Sequence, residues 1–234
     1  MNFVKTFVED MKYYDPLNKE LDEIKKINLK GKTLVDIGAG SGRLSIPLSK
    51  STKRIFAIEM NKQLAKYIAN KNIKNIEIIN QKAEFYLKNK KFDILILAWP
   101  TFEFKWINLI RNSMHKDSHF IFTTCKSDSE YESIIDKLEI SDKKSYAKNI
   151  NNKEKFINML PKKFKLVKKK LIKTSVEFLN KETAFRIIKN SLVFWFKISF
   201  NKEKDEKLKK LIEKNRNGNK IIFKEEVWFY LLTK

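Results

Sequence analysis

The stretch Leu34-Val35-Asp36-Ile37-Gly38-Ala39-Gly40-Ser41-Gly42-Arg43-Leu44 decides how the rest of the chain reads. It opens as a short apolar, β-branched run, the pattern of a buried strand. It then crosses three glycines at alternate positions and enters Leu44, Ile46 and Leu48, spaced as the start of a helix. The chain has only five glycines, and Gly31, Gly38, Gly40 and Gly42 fall close together. Glycine is kept where a side chain has no room or where φ must be positive. A strand, a glycine turn and a helix in succession gather free backbone N–H groups at the positive end of a helix dipole. That is a seat for an anionic or carboxylate-bearing ligand.

Spacing narrows the choice of ligand. The dinucleotide fingerprint G-x-G-x-x-G/A needs a small residue where Arg43 stands. A P-loop is excluded, because no G-K-[ST] follows the glycines. Asp36 lies on the strand just before the first glycine. A second strand, Arg54–Ile58, ends in Glu59-Met60-Asn61. That carboxylate falls about twenty residues after the turn, where nucleotide-binding α/β folds bond ribose hydroxyls.

The D-x-G-x-G-x-G pattern over residues 36–42 resembles the first motif of the class I S-adenosylmethionine-dependent methyltransferases. The resemblance implies a doubly wound α/β fold, Rossmann-like, with a seven-stranded and mostly parallel sheet whose last strand is antiparallel. It implies S-adenosylmethionine as cofactor, with its methionine end over Asp36, Gly38, Ala39, Gly40 and Gly42 and its ribose on Glu59. Met60, Ala83, Glu84 and Ala98 complete the implied cofactor-binding set. Family members often carry an acid just before the small residue corresponding to Ala83. Lys82 stands there in this chain, so adenine recognition falls to backbone groups and to Glu84 or Gln81. The fourth strand, residues 92–97, is a near-continuous apolar run and ends in Ala98-Trp99-Pro100-Thr101. Trp99 and Pro100 should face the transferred methyl. Amino-group methyltransferases acting on adenine carry a polar residue, two prolines and an aromatic here. This chain lacks the polar residue and the first proline, which argues against adenine-N6 chemistry.

The remaining elements follow from periodicity and breakers. Residues 3–27 read as one or two helices forming a lid that contains Tyr13-Tyr14-Asp15-Pro16, with Tyr14 and Trp99 as candidate catalytic residues. Residues 41–51 read as the first helix of the sheet, with Pro47 past its first turn. Residues 63–70 read as a helix, Ile76–Ile79 as the third strand and 102–113 as a helix. The fifth strand covers 119–124, and helices follow at 128–138 and 153–160. The sixth strand covers 164–178, Lys181–Phe196 and 202–215 form a helical insertion, and the seventh strand is 221–232. No repeat or linker appears, so residues 1–234 read as a single domain. Its parts are an N-terminal helical segment (1–30), a cofactor-binding core (31–126) and substrate-shaping helices and last strands (127–234).

Composition bounds the rest. The chain has 234 residues, 42% of them hydrophobic, which suits a folded domain. The N-terminus lacks a secretory h-region and the longest apolar runs are too short to span a bilayer, so a cytoplasmic protein with no membrane partner is expected. Cys125 has no disulfide partner, and no metal-ligand spacing occurs. His115 and His119, the only histidines, read as structural or solvent-facing. The formal net charge of +22 invites a nucleic-acid partner. Yet arginines, which dominate specific phosphate and base contacts, are few, and the lysines are spread along the whole chain. Aromatic residues are abundant at Tyr13, Tyr14, Trp99, Phe102, Phe104, Trp106, Phe185, Phe194, Trp195 and Phe196. They suit a small-molecule acceptor pocket, although Phe185, Ile188, Leu192 and Trp195 are equally spaced for a core-facing helix. A small-molecule acceptor is therefore the expectation. RNA or protein methylation is the alternative, and a non-catalytic cofactor-binding module the third reading.

Overall fold

The computed structural model describes residues 3–100, 105–126, 130–138, 143–196 and 198–234. Among them the chain forms α1 (Phe3–Met11), α2 (Lys19–Lys25), β1 (Thr33–Ile37), α3 (Ser45–Leu48), β2 (Arg54–Ile58), α4 (Lys62–Ala69), β3 (Ile76–Ile79), α5 (Ala83–Leu87) and β4 (Phe92–Ala98). There follow α6 (Lys105–Asn112), β5 (Met114–Cys125), α7 (Glu132–Lys137), α8 (Lys143–Lys163), β6 (Lys165–Phe178), α9 (Lys181–Phe196), α10 (Lys202–Glu213), β7 (Arg216–Asn217) and β8 (Lys220–Thr233). The chain divides into two compact units. The larger comprises Glu20–Thr124, Lys148–Leu171 and Trp228–Lys234; the smaller comprises the N-terminal stretch through Lys19, Cys125–Ala147 and Ile172–Val227.

The strand order is β3-β2-β1-β4-β5-β8-β6, with the two-residue β7 folded onto β8. The pairings from β3 through β5 are parallel, and β1 sits between β2 and β4. β8 runs the other way. Lys234, beyond its end, bonds Met114 at the start of β5, while Lys126, just past β5, bonds Glu226. Its pairing with β6 is also antiparallel: Lys169 lies over the Trp228 ring, whereas Glu177 meets Lys220. The mostly parallel, seven-stranded doubly wound sheet is thus observed, with β7 as a short addition.

Alternation along the strands covers both faces of the larger unit's sheet. Val35, Ile37, Leu95, Leu97, Phe120 and Phe122 share a core with α5, α6 and α8. Ala57, Ile76 and Ile78 pack with Ala39, Ile46 and Ile68, from the glycine turn, α3 and α4. The smaller unit has its own core. There Val176 and Phe178 meet Ile187, Ile188 and Leu192 of α9, Leu208 and Ile212 of α10, and Ile221 and Phe223 of β8.

Three expected elements differ by more than a residue or two. The helix expected over 41–51 shrinks to α3, Ser45–Leu48, because residues 41–44 continue the turn. Pro47 therefore lies in the first turn, where its missing N–H costs little. Around it Ile46, Leu48 and Ser49 bond back to Gly42, Leu44 and Ser45. β5 starts at Met114, not at residue 119. Its ladder with β4 jumps from Phe92↔Met114 to Ile94↔His119. Ser118 pins that irregularity, donating to Phe92 O at 2.6 Å while accepting from His115 N at 2.9 Å. The helix expected over 153–160 is the last part of the longer α8. Within the helices expected over 102–113 and 128–138, positions 102–104 and 128–129 lie outside the described residues.

Candidate functional site

β1 and β4 are adjacent, and each leads into a loop at its carboxyl end. In open α/β sheets ligands settle at such a switch point. The turn after β1 carries Gly38, Gly40 and Gly42 at φ values of 76°, 59° and 79°. These conformations exclude most side chains. A Cβ built on Gly38 meets nothing within 4 Å, so there is open room before the turn, whereas one on Gly42 strikes Ile46 at 2.8 Å.

The expectation that this turn offers free N–H groups is corrected. Gly38 and Ala39 N–H both donate to Ile58 O at 2.9 Å, and Gly42 N–H donates to Ala39 O at 2.8 Å. Gly40 N–H donates to Glu59 Oε2 at 2.8 Å. Bonding into β2 fixes the shape of the turn. What it presents to a ligand is space and nearby carboxylates rather than a row of open donors.

Glu59 is buried and clasps two loops. Oε2 takes the Gly40 N–H, and Oε1 takes the Asn61 N–H at 2.7 Å. A carboxylate offers about four acceptor sites, so both oxygens keep capacity for hydroxyl donors such as those of a ribose. Asn80 braces the same corner, donating to the Glu59 and Met60 carbonyls. Met60 is exposed and Ala83 buried at the start of α5. Glu84 pairs with Lys105 at 2.7 Å, which holds its carboxyl below the usual range. We expect Glu59→Ala to weaken S-adenosylmethionine binding by roughly 1.5–3 kcal/mol. Glu59→Gln, which keeps one acceptor, should lose less; calorimetric titration of both variants checks the order.

Asp36 is buried, and its Oδ2 accepts the Ser45 hydroxyl at 2.6 Å. Burial, with Glu59 adding repulsion, lifts its carboxyl from 3.8 to about 6, although Ser45 and Arg43 pull the other way. A carboxyl raised on folding favours the native state at low pH, where it is protonated. That contribution is present below about pH 4 and is lost as pH rises through about 6, on the order of 2–3 kcal/mol. Asp36→Asn should therefore raise the melting temperature above pH 6 and leave it nearly unchanged at pH 4. The same variant should raise the dissociation constant for S-adenosylmethionine. Melting curves across pH and calorimetry at pH 7 test the two opposite signs.

Ala98 closes β4, paired with Thr123 of β5. Trp99 follows with φ of 54°, a conformation rare for a bulky residue and found where surrounding structure imposes it. Its N–H donates to Thr123 O at 2.9 Å, which holds it there. Thr101, Phe102 and Phe104 lie outside the described residues. Arg43 forms a 2.7 Å ion pair with Glu20, and Glu20 also accepts the Thr123 hydroxyl at 2.5 Å. Sequence reasoning missed Glu20, Ser45 and Thr123. The one available signal was that Glu20 lies beside Leu21 and Ile24, the buried apolar residues of its helix.

The other expected residues sit elsewhere. Tyr14 is in the smaller unit, where its backbone bridges Val176 and its ring meets Tyr131 edge-on at 5.5 Å. Burial pushes its phenol well above 10, helped by Tyr131, Asp10 and Glu225. It can donate a hydrogen bond but cannot take a proton near neutrality. The Tyr13 and Phe178 rings pack with centroids 4.8 Å apart and planes tilted by 33°, and Phe185 packs against the same core. Trp106 packs against the larger unit's core. The side chains of Phe194, Trp195 and Phe196 lie outside the described set. Four of the aromatic residues expected to line a pocket, Tyr13, Tyr14, Trp106 and Phe185, thus pack, partly buried, against these cores. His119 pairs with Ile94 near the start of β4, the end away from Trp99, and burial with Lys32 lowers its pKa. Cys125 is buried at the end of β5. Among the described residues no helix is long and apolar enough to cross a membrane.

A mostly parallel sheet in this order, with a glycine turn after β1 and a carboxylate just past β2, is the architecture of the class I S-adenosylmethionine-dependent methyltransferases. Residues 4–150 match the TRM5/TYW2 methyltransferase domain, and the chain belongs to that family. It is 51% identical over 49 residues to the ribosomal RNA small subunit methyltransferase A of Wigglesworthia glossinidia brevipalpis, covering 20% of this chain and 19% of that protein. It is 38% identical over 90 residues to a "Probable cobalt-precorrin-6B C(15)-methyltransferase (decarboxylating)" of Methanocaldococcus jannaschii, covering 33% and 47%. The chain thus spans less than half the length of either curated relative. The fold is similar to that of YcgJ from Bacillus subtilis (TM-score 0.58, 13% identity, 92% and 97% covered). It is also similar to that of the N-methyltransferase NodS from Bradyrhizobium japonicum WM9 (TM-score 0.55, 10% identity, 94% and 98% covered).

Proposed function

We propose that this chain methylates a small-molecule acceptor, and that it does so mainly by positioning. One observation carries the choice of acceptor. The densest lysine run lies at the end of the sheet opposite the glycine turn and Trp99. Lys168 and Lys170 of β6 pair with Glu23. Lys168 also shares a cavity of about 460 Å³ with Lys32, Asp93 and His119, at the amino ends of β1 and β4. An RNA-methylating site is expected to have cations leading into it. Here Arg43 and Lys105, two of the cations that flank the carboxyl-end loops, are committed to Glu20 and Glu84, which leaves the exposed Lys62 and Lys82 there. The corrinoid-precursor relative gives a precedent for a small acceptor, and the ribosomal RNA relative supplies the competing outcome.

The residues present fit the cofactor: open room before Gly38, an exposed Met60, and the buried carboxylates Asp36 and Glu59 at one corner. Bound there, S-adenosylmethionine supplies a methyl group already activated by its sulfonium. Glu59 would accept from ribose hydroxyls while keeping the glycine turn closed on β2. Asp36, tied to Ser45, would face the methionine ammonium and serve as a binding group rather than a base. Trp99 and Pro100 would shape the acceptor side and keep water out, so that alignment supplies much of the acceleration.

The test is tritiated methyl transfer from S-adenosylmethionine into a low-molecular-mass cell extract, with bulk tRNA and rRNA in parallel and filter binding across a salt series. Label in the small-molecule fraction is expected. Salt-sensitive RNA binding together with methylated RNA would overturn the reading.

A further inference from the structure

Glu20 is 1% exposed, yet it sits on α2 beside the buried Leu21 and Ile24. A carboxylate there is costly unless its charge is met. Two groups from different parts of the larger unit meet it. Oε2 faces the Arg43 guanidinium at 2.7 Å, and Oε1 accepts the Thr123 hydroxyl at 2.5 Å. Arg43 belongs to the glycine turn after β1. Thr123 lies near the end of β5, and its carbonyl accepts the Trp99 N–H at 2.9 Å. One side chain therefore touches the turn on one side of the switch point and the strand end that holds Trp99 on the other.

We propose that Glu20 is a positioning residue for methyl transfer, setting the glycine turn through Arg43 and the Trp99 loop through Thr123. The inference rests on the cofactor seat proposed above. A buried ion pair contributes little to stability compared with apolar packing of the same volume, but it fixes the relative orientation of the groups it joins. Here the orientation also protects Asp36. Arg43 already acts electrostatically on that carboxyl, whose oxygen is taken by Ser45. Without Glu20, the guanidinium would be left half-buried with Asp36 as its alternative partner. The turn would then be drawn toward β1 and the Ser45 bond lost. Glu20 touches neither cofactor nor acceptor; its effect passes through Arg43 and Thr123.

The experiment uses the full chain, S-adenosylhomocysteine as the probe, and two readouts. These are the dissociation constant by calorimetry and the tryptophan fluorescence change on binding, with Trp99→Phe identifying the part due to Trp99. Glu20→Gln should weaken binding by about tenfold and blunt the Trp99 response. Adding Arg43→Gln to it should recover most of the affinity, because the uncompensated guanidinium causes the damage. Thr123→Val, which keeps the shape and removes only the hydroxyl, should reduce the Trp99 response and leave the fold intact. That variant tests the idea even where Glu20→Gln fails to fold. Unchanged affinity and Trp99 response in Glu20→Gln or Thr123→Val, with only the melting temperature lowered, would overturn the proposal. Additive losses in Glu20→Gln/Arg43→Gln would do the same. Gly40→Val separates the two readings. If it loses the probe while Glu20→Gln and Thr123→Val behave as wild type, the seat stands and the positioning role falls. If it binds normally, the seat itself is wrong.

Discussion

Gly40→Val should bind S-adenosylmethionine with a dissociation constant raised on the order of a hundredfold or more, beyond the range of an ordinary lost hydrogen bond. Gly40 has φ of 59°, a region a β-branched residue enters only under strain. Relief of that strain would move the N–H that donates to Glu59 Oε2. One substitution thus disturbs both the turn and the carboxylate assigned to the ribose. Gly218→Val is the control. Gly218 has a similar φ of 60° but lies in the hairpin joining β7 to β8, in the smaller unit. It should lower the melting temperature by a comparable strain and leave affinity within about twofold. Calorimetry on both proteins settles the matter: equal losses would mean that backbone strain, not the cofactor seat, is what the glycine relieves.

Phe122→Ala should destabilise the protein by about 3–5 kcal/mol. Phe122 is fully buried on β5, opposite Leu97 in register. Its ring centroid lies 5.2 Å from that of Phe156 on α8 and 5.8 Å from that of Tyr230 on β8. Truncation would leave a cavity where four elements meet, and none can collapse into it without leaving its own neighbours. At roughly 2–4 °C per kcal/mol for a chain of this size, the melting temperature should fall by about 6–20 °C. Phe85→Ala is the comparison: that ring is 71% exposed on α5 and its removal should cost under about 0.5 kcal/mol. Thermal melts by circular dichroism distinguish the two. Similar losses would show that Phe122 does not anchor the core.

Phe85 and Phe122 also mark the limit of what composition can reveal, since nothing about the residue type separates an exposed phenylalanine from a central one. The alternation of β5 does place Phe120 and Phe122 on one face. It does not show that α8 and β8 would cover that face. The aromatic residues drew the same ambiguity. Tyr13 and Phe185 suited a ligand pocket as well as a core, and in the structure both pack, partly buried, against the smaller unit's core.

What the chain order determined by itself was local. Asp36, the glycines at 38, 40 and 42, and the strands around them are legible because backbone sterics and strand period act within a few residues. Glu59 was legible because the length of one βα unit sets its interval. Tertiary structure decided the remainder. It consumed the turn's N–H groups on Ile58 and Glu59, shortened α3 around Pro47, and put the lysines of β6 at the far end of the sheet. It also buried Glu20 between Arg43 and Thr123. That acid is 23 residues from one partner and 103 from the other. A carboxylate's free energy depends on the charges and donors that fold against it, so on the helix alone Glu20 cannot be told from a solvated acid.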